Sequence, residues 1–379
     1  MKVYYFLNNL SQKNYSYFLD KLSLISNIGD IDNIIKKYNY KIGLKNEGTI
    51  QNSNFIEAFM FLKYFLKSGY GKISDIEWVS KKNFLIYNDD IYVYENRNWF
   101  LLDCKVIFAT CRDGWQSQFF IYLYNKQKYD KKIVLIKPDY IKDWLYRDKL
   151  YFISKIQKFR KKYIGDIVIP FIMDNNKEAV LSMLFFIKYR FGDKFVIKSS
   201  IGIMGQGVRA LKYSYLKEDN NSLVVLIDKF FPKKVYNYNC PYLIPYYNIK
   251  KEFRIYYTYG LNSKINIYSV KNRVNIMEGD LFKKADMTYN NIKTIWNYNK
   301  LDDFYKNDSK VYNISKKIIK LLGLETGVLE LCELENGKIR FLEVNPLGGS
   351  LTYPGDDEEN IKNFYLDIWN NQFEKLKFT

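Results

Sequence analysis

The chain has 379 residues, 47% apolar and 26% charged, enough for a full hydrophobic core and unlike a disordered or fibrous protein. It carries 59 Lys and Arg against 41 Asp and Glu, a formal charge of +18, and no histidine. Without histidine, a Ser-His-Asp or Cys-His centre and a histidine-ligated zinc are excluded, leaving carboxylates, Lys, Arg, backbone amides and hard cations for any chemistry.

The opening stretch MKVYYFLNNLSQKNYSYF lacks a signal peptide's long apolar region and small-residue cleavage site. Residues 2–7 predict a first strand, and apolar residues at helical spacing predict a helix over 54–69. The stretch 84–102 reads as short strands separated by turns at Asn-Asp-Asp and Glu-Asn-Arg-Asn. Another strand is expected over 131–138, stopped by Pro138, and a basic helix over 148–165. Beyond 165 the pattern gives a short strand DIVIP, a helix over 176–190 and a strand over 194–200. A glycine-rich loop (201–207), a strand to Tyr213 and a mixed segment (221–230) follow. Strands 252–260 and 264–274 are joined by a turn, a helix over 308–322 is closed by Gly323, and a hairpin spans 328–345.

The longest apolar run, AVLSMLFFI at 179–187, is half the length of a membrane span. Cys104, Cys111, Cys240 and Cys332 are scattered without paired metal spacing, as in a reducing compartment. A soluble, cytoplasmic protein with no membrane partner is therefore expected. The positive charge fits a generic basic surface, a bound polyanion or an acidic small substrate drawn in by the field. Nucleic acid is the weakest of these, because no nucleic-acid module or local basic-aromatic motif accompanies the 18% aromatic content. No heptad run marks an oligomer interface.

The hairpin carries the most chemistry. Its tip, Asn336-Gly337, fits a two-residue type I′ turn, with Glu335 facing Lys338. That register sets Glu330 opposite Glu343, and the two-residue period puts Asn345 on the face of Glu343. Carboxylates about 5 Å apart repel unless a cation lies between them. Two carboxylates and an amide, without sulfur or imidazole, suit Mg²⁺, particularly Mg²⁺ shared with phosphates. A plain solvated sheet face is the alternative, although Phe341 falls on the same face by simple alternation.

In FVIKSSIGIMGQGV (195–208), Lys198 precedes Gly202, Gly205 and Gly207, whose backbone could turn N–H groups toward an anion. The spacing is neither a Walker loop nor a dinucleotide fingerprint, so a glycine-rich hairpin over phosphates and an ordinary loop both remain open. In KKEFRIYY, Arg254 shares a strand face with Glu252 and Tyr256, as either a phosphoryl clamp or a surface ion pair. Lys271 is a similar case.

Taken in this order, FVIKSSIGIMGQGV, KKEFRIYY and GVLELCELENGKIRFLEVNPLGG resemble the ATP-grasp superfamily of carboxylate-amine ligases over roughly residues 165–350. The resemblance implies an α+β chain, with an ATP-grasp domain over 165–379 and an N-terminal α/β domain over 1–164 that binds substrate or a partner. It implies ATP and Mg²⁺, with Lys198 on the phosphates and the loop of Gly202, Gly205 and Gly207 closing over them. Glu330, Glu343 and Asn345 would hold the metal, and Arg254 would face the γ-phosphate and acyl phosphate. Lys271 would be a second basic catalytic position, and Gly348, Gly349 and Ser350 the acceptor end. The hinge carries no recognisable adenosine-binding Glu, so the backbone at Ile244 is the expected adenine contact. Lys188 and Arg190 compete for the upstream phosphate cation. The implied reaction joins a carboxylate to an amine, the acceptor being an acidic peptide or metabolite. An ATP-binding assembly factor that keeps the fold without ligation is the alternative.

Overall fold

The computed structural model describes residues 1–7, 12–39, 49–79, 82–87, 90–109, 117–136, 148–156, 160–170, 177–200, 208–230, 241–260, 262–276, 293–299, 301–346 and 358–376. Strands β1 (Lys2–Phe6), β2 (Ile76–Val79), β6 (Val106–Ala109) and β7 (Ile133–Ile136) form a parallel sheet in the order β2-β1-β6-β7. Val3 to Phe6 and Val106 to Ala109 are all buried, as central parallel strands covered on both faces require. Helix Thr49–Lys67 covers one face with Phe55, Phe59, Phe61 and Phe65, and helix Ser117–Lys126 the other with Phe120 and Leu123. A separate antiparallel sheet joins β3 (Phe84–Tyr87), β4 (Asp90–Glu95) and β5 (Asn98–Leu101) in that order. Its β4–β5 turn places Asn96 and Arg97 at positive φ, the conformation a type I′ hairpin demands.

Two further antiparallel sheets follow. The smaller contains β8 (Lys194–Ser199), β9 (Val208–Lys212) and β10 (Pro241–Pro245), ordered β10-β8-β9. It is backed by helices Lys177–Phe191 and Asn220–Phe230. Val180, Leu184 and Ile187 are fully buried there, each contributing about 2 kcal/mol of burial energy. The larger contains β11 (Ile249–Tyr259), β12 (Ile265–Ile276), β13 (Lys293–Asn299), β14 (Thr326–Leu334) and β15 (Ile339–Pro346), ordered β13-β12-β11-β14-β15. Helix Ser309–Leu322 packs on it through Val311, Ile318, Ile319 and Leu322. Gly323 closes that helix at φ 63°, its N–H bonding to Ile319 O.

Several sequence expectations change in detail. The basic helix expected over 148–165 is two pieces, Lys149–Lys155 and Arg160–Tyr163. DIVIP makes only a bridge, Val168 to Leu243. The segment at 221–230 is helical because the Asp219 side chain accepts from Asn221 N, Ser222 N and Ser222 Oγ, a local N-cap. Packing crosses residue 164 in both directions. Phe152 and Ile153 join the core of the larger sheet, while Trp369 and Phe373 of helix Glu358–Leu376 join the core of the parallel sheet. Among the described residues, no helix is long and apolar enough to cross a membrane.

Candidate active site

The site lies where β15 and β11 approach the smaller sheet. In the β14–β15 hairpin, Glu330 stands opposite Glu343 and Val328 opposite Asn345, as the sequence predicts. The turn itself is a correction. Gly337 N donates to Leu334 O at 2.8 Å and Leu334 N to Lys338 O at 2.9 Å, with Gly337 at φ 72°. This is a three-residue loop ending in a left-handed glycine, not a two-residue I′ turn. Near the turn Leu331 therefore faces Phe341, and an extra residue between Phe341 and Glu343 restores the Glu330–Glu343 pair. That bulge interrupts the alternation that put Phe341 and Glu343 on one face.

The same row continues across the sheet. Arg254 on β11 is in register with Glu330, and Lys271 on β12 is in register with Arg254. Directly opposite residues of antiparallel strands share a face. One face thus carries Arg254, Glu330 and Glu343 as neighbours along a line, and Lys271 holds the next register position on β12. Arg254 Nη2 lies 2.8 Å from Glu330 Oε1. Asn345 Nδ2 donates to Glu330 Oε1 and to Glu343 Oε1, each at 3.2 Å. The three expected metal ligands thus converge on shared atoms.

Lys149 completes the group. Its Nζ lies 3.3 Å from Glu343 Oε2, and its own N–H donates to Ser200 O at 2.8 Å, tying the helix start to the end of β8. Asp148 caps this helix by accepting from Leu150 N. Sequence reasoning sought the upstream cation in Lys188 and Arg190, but Lys188 lies over the ring of Tyr213 and Arg190 over that of Phe186. The cation brought to Glu343 is Lys149. No local pattern announces it, because Lys149 and Glu343 are far apart in sequence and meet only by packing.

Lys198 sits half-buried on β8, paired with Tyr242 on β10. Burial pulls its amine below the usual lysine range, and Lys149 adds repulsion, while Glu343 and Glu252 work the other way. Burial of Glu343 pushes its carboxyl up, yet Lys149, Lys198 and the Asn345 amide leave it below its ordinary value. The Tyr242 hydroxyl is driven well above its usual range by burial and by Glu343. The result is a carboxylate held in its charged form beside two lysine side chains.

Lys198, Tyr242 and Ile244 from the smaller sheet, with Phe341 and Leu342 from β15, line a narrow gap between the two sheets that opens to solvent. Phe152, Ile153, Ile164 and Tyr247 complete its apolar wall. Gly202, Gly205, Gly207, Gly348, Gly349 and Ser350 lie outside the described residues, as does the side chain of Lys271.

The donor set was tested against Mg²⁺. Among the described residues no three His, Cys, Asp or Glu side chains cluster, so the set is two carboxylates and one amide. These are hard oxygen donors, and so few of them suit an ion that keeps waters and shares phosphate oxygens. The residues fit the ion.

A parallel α/β sheet followed by antiparallel sheets of three and five strands gives the chain the ATP-grasp fold, in which it is similar to solved structures over nearly its whole length. It is similar over 98% of its length to 99% of D-alanyl-alanine synthetase A from Vibrio cholerae, with TM-score 0.54 and 9% identity. Against the VanG D-Ala:D-Ser ligase from Enterococcus faecalis the match covers 98% of both chains, with TM-score 0.52 and 10% identity. The match to N5-carboxyaminoimidazole ribonucleotide synthetase from Thermotoga maritima covers 63% of this chain and 51% of that one, at TM-score 0.39 and 15% identity. The chain thus spans about half the length of that relative. No family model matches the sequence, and no curated protein matches it.

Proposed function

We propose that the protein is an ATP-dependent ligase that joins a carboxylate to an amine through an acyl phosphate. The supporting observation is the row Arg254, Glu330 and Glu343, with Lys271 at the next register position, flanked by Asn345, Lys149 and Lys198 beside an apolar gap. A substrate carboxylate oxygen attacks the γ-phosphorus of ATP, and the bond from that phosphorus to the ADP oxygen breaks. An amine nitrogen then attacks the acyl carbon, loses a proton and expels inorganic phosphate. Most of this chemistry asks the protein for position and charge rather than covalent help, so the lack of histidine is no obstacle.

In this reading the gap takes adenine against the backbone at Ile244, and Lys149 and Lys198 hold phosphate oxygens. The loop of Gly202, Gly205 and Gly207 covers them. Arg254 and Lys271 meet the transferring phosphoryl group and the acyl phosphate. Glu330, Glu343 and Asn345 hold Mg²⁺, which when bound supplies Lewis-acid neutralisation of phosphate charge. Gly348, Gly349 and Ser350 face the acceptor, and the segment 1–164 selects substrate or a partner. The charge of +18 favours an acidic acceptor, peptide or metabolite. The free thiols of Cys104 and Cys332 fit a cytoplasmic setting.

Glu343→Gln tests the reading. It keeps the shape and the fold but removes the charge that Lys149 and the metal share. ADP formation from Mg·ATP should fall by at least about 10²-fold, the scale of losing one preorganised electrostatic group. Wild-type protein with Mg·ATP and cell extract should also yield a product one water lighter than two reactants, detected by mass spectrometry. Equal ADP release from both proteins, or partner capture without such a product, would replace ligation with an assembly role.

A further inference from the structure

The expected metal ligands are already engaged by N–H donors of the chain itself. Lys149 Nζ lies 3.3 Å from Glu343 Oε2, and Arg254 Nη2 lies 2.8 Å from Glu330 Oε1. Asn345 turns its Nδ2, rather than its carbonyl oxygen, toward both carboxylates at 3.2 Å. These side chains are largely out of solvent: Lys149 is 11% exposed, Arg254 22%, Glu330 21% and Glu343 25%. Two carboxylates in register need a cation nearby. Here one ammonium and one guanidinium match them charge for charge, with no ion added.

That arrangement has to be undone before an ion can be held. Glu343 must be released by Lys149 and Glu330 by Arg254, and Asn345 must turn its oxygen inward, because an amide N–H cannot ligate a cation. A cation moved off its carboxylate in a largely buried place is left unpaired, which is costly. Phosphate oxygens remove that cost by giving both cations a new anion as the carboxylates are freed. For Lys149 the movement is confined to the side chain, since its own N–H is tied to Ser200 O at 2.8 Å.

We propose that Lys149, Arg254 and the Asn345 amide are built-in stand-ins for the metal, exchanged for it only when a nucleotide arrives, an inference that rests on the ATP-binding reading of this site. Metal alone meets masked ligands. Nucleotide alone meets cations already paired and carboxylates that repel its phosphates. Each therefore raises the affinity for the other, and linkage makes the factor the same in both directions.

Binding to the whole chain, rather than turnover, tests this. Mn²⁺, which suits the same oxygen donors as Mg²⁺, is followed without nucleotide by electron paramagnetic resonance, and ADP is followed by calorimetry in EDTA. The wild type should hold each weakly. Lys149→Met should bind Mn²⁺ at least about 5-fold more tightly, the low end of ordinary coupling factors, because Glu343 is unmasked. Lys149→Arg keeps the charge and should stay at the wild-type value. Glu343→Gln should lose Mn²⁺ affinity yet bind metal-free ADP at least about 5-fold more tightly, since Lys149 is released to phosphate. A purely structural Lys149 would move neither affinity. The two arms use different variants, so a Lys149→Met chain that fails to fold leaves Glu343→Gln to decide. Unchanged Mn²⁺ affinity in folded Lys149→Met, or metal-free ADP bound no better by Glu343→Gln, overturns the exchange and leaves the ATP site standing. ADP that binds no form, with or without Mn²⁺, overturns the ATP-binding reading and the exchange with it.

Discussion

At the scale of single residues, the site is a balance of charge inside a partly buried pocket. Cys332 reports on that pocket from the same face of the sheet, two residues along β14 from Glu330. It faces Glu252 across β11 and Arg340 across β15, and its thiol is pushed up to about 12 by burial first and by Glu252 second, with Lys198 and Arg340 opposing. Its reference value is 9.0, so at pH 8 the thiolate fraction should be about a thousandfold lower than in the unfolded chain. Iodoacetamide at pH 8 should leave Cys332 unmodified in the folded protein and label it after denaturation, read by peptide mass mapping. Rapid labelling of the folded chain would mean that water reaches the sheet face beside Glu330. Because the folded thiol holds its proton longer, this group adds stability below pH 9 that is lost as pH rises toward 12. That Glu330, Glu343 and Asn345 come together was legible, since all three lie on one short hairpin whose turn and bulge offset each other. Lys149 was not, because its partner Glu343 lies in a distant part of the sequence and only packing brings them together.

At the scale of elements, the hairpin shows how a sequence rule can succeed through two compensating departures. Asn336-Gly337 predicts a tight turn, and one forms, but with Glu335 included in the loop. The one-residue shift would send Glu343 to the wrong register, and the extra residue near Leu342 cancels it. Neither loop length nor bulge has a local signal strong enough to be read, because both answer to the sheet as a whole. The segment 221–230, a helix in the structure, reads as mixed for a different reason: Val224, Val225 and Ile227 suit a strand until Asp219 is recognised as a cap. The turn glycine yields a measurable consequence. Gly337 sits at φ 72° with open space where an alanine methyl would stand, so Gly337→Ala meets backbone strain alone. It should cost about 1 kcal/mol in urea denaturation and leave ADP formation unchanged. A loss of activity would show that the loop's conformation is coupled to Glu343 through the bulge.

At the scale of the whole molecule, the question is what makes the parallel sheet and the two antiparallel sheets that follow it one body. Helix Glu358–Leu376 supplies a physical answer that no local pattern announced. Trp369 is fully buried against Tyr5 and Phe61, and its Nε1 donates to Glu57 O at 3.2 Å. Phe373 stacks on Phe61 and Tyr64. From the same helix Asp367 accepts from the Tyr268 hydroxyl and from Asn266 Nδ2 at 2.6 Å, both on β12. Gln372 Nε2 donates to Glu325 Oε2 at 2.8 Å, just before β14. One element therefore grips the helix that covers the parallel sheet and two strands of the larger sheet. Removing the large ring should cost about 3–5 kcal/mol, the range for truncating a buried aromatic. The loss falls at a junction rather than inside one core, so its signature should be in cooperativity. Calorimetry of Trp369→Ala should show the single transition of the wild type split in two, with the parallel-sheet unit melting first. A single transition moved to lower temperature would mean that Tyr256, Tyr268 and Val328 of the larger sheet, which lie in the parallel-sheet core, hold the two parts together without the helix.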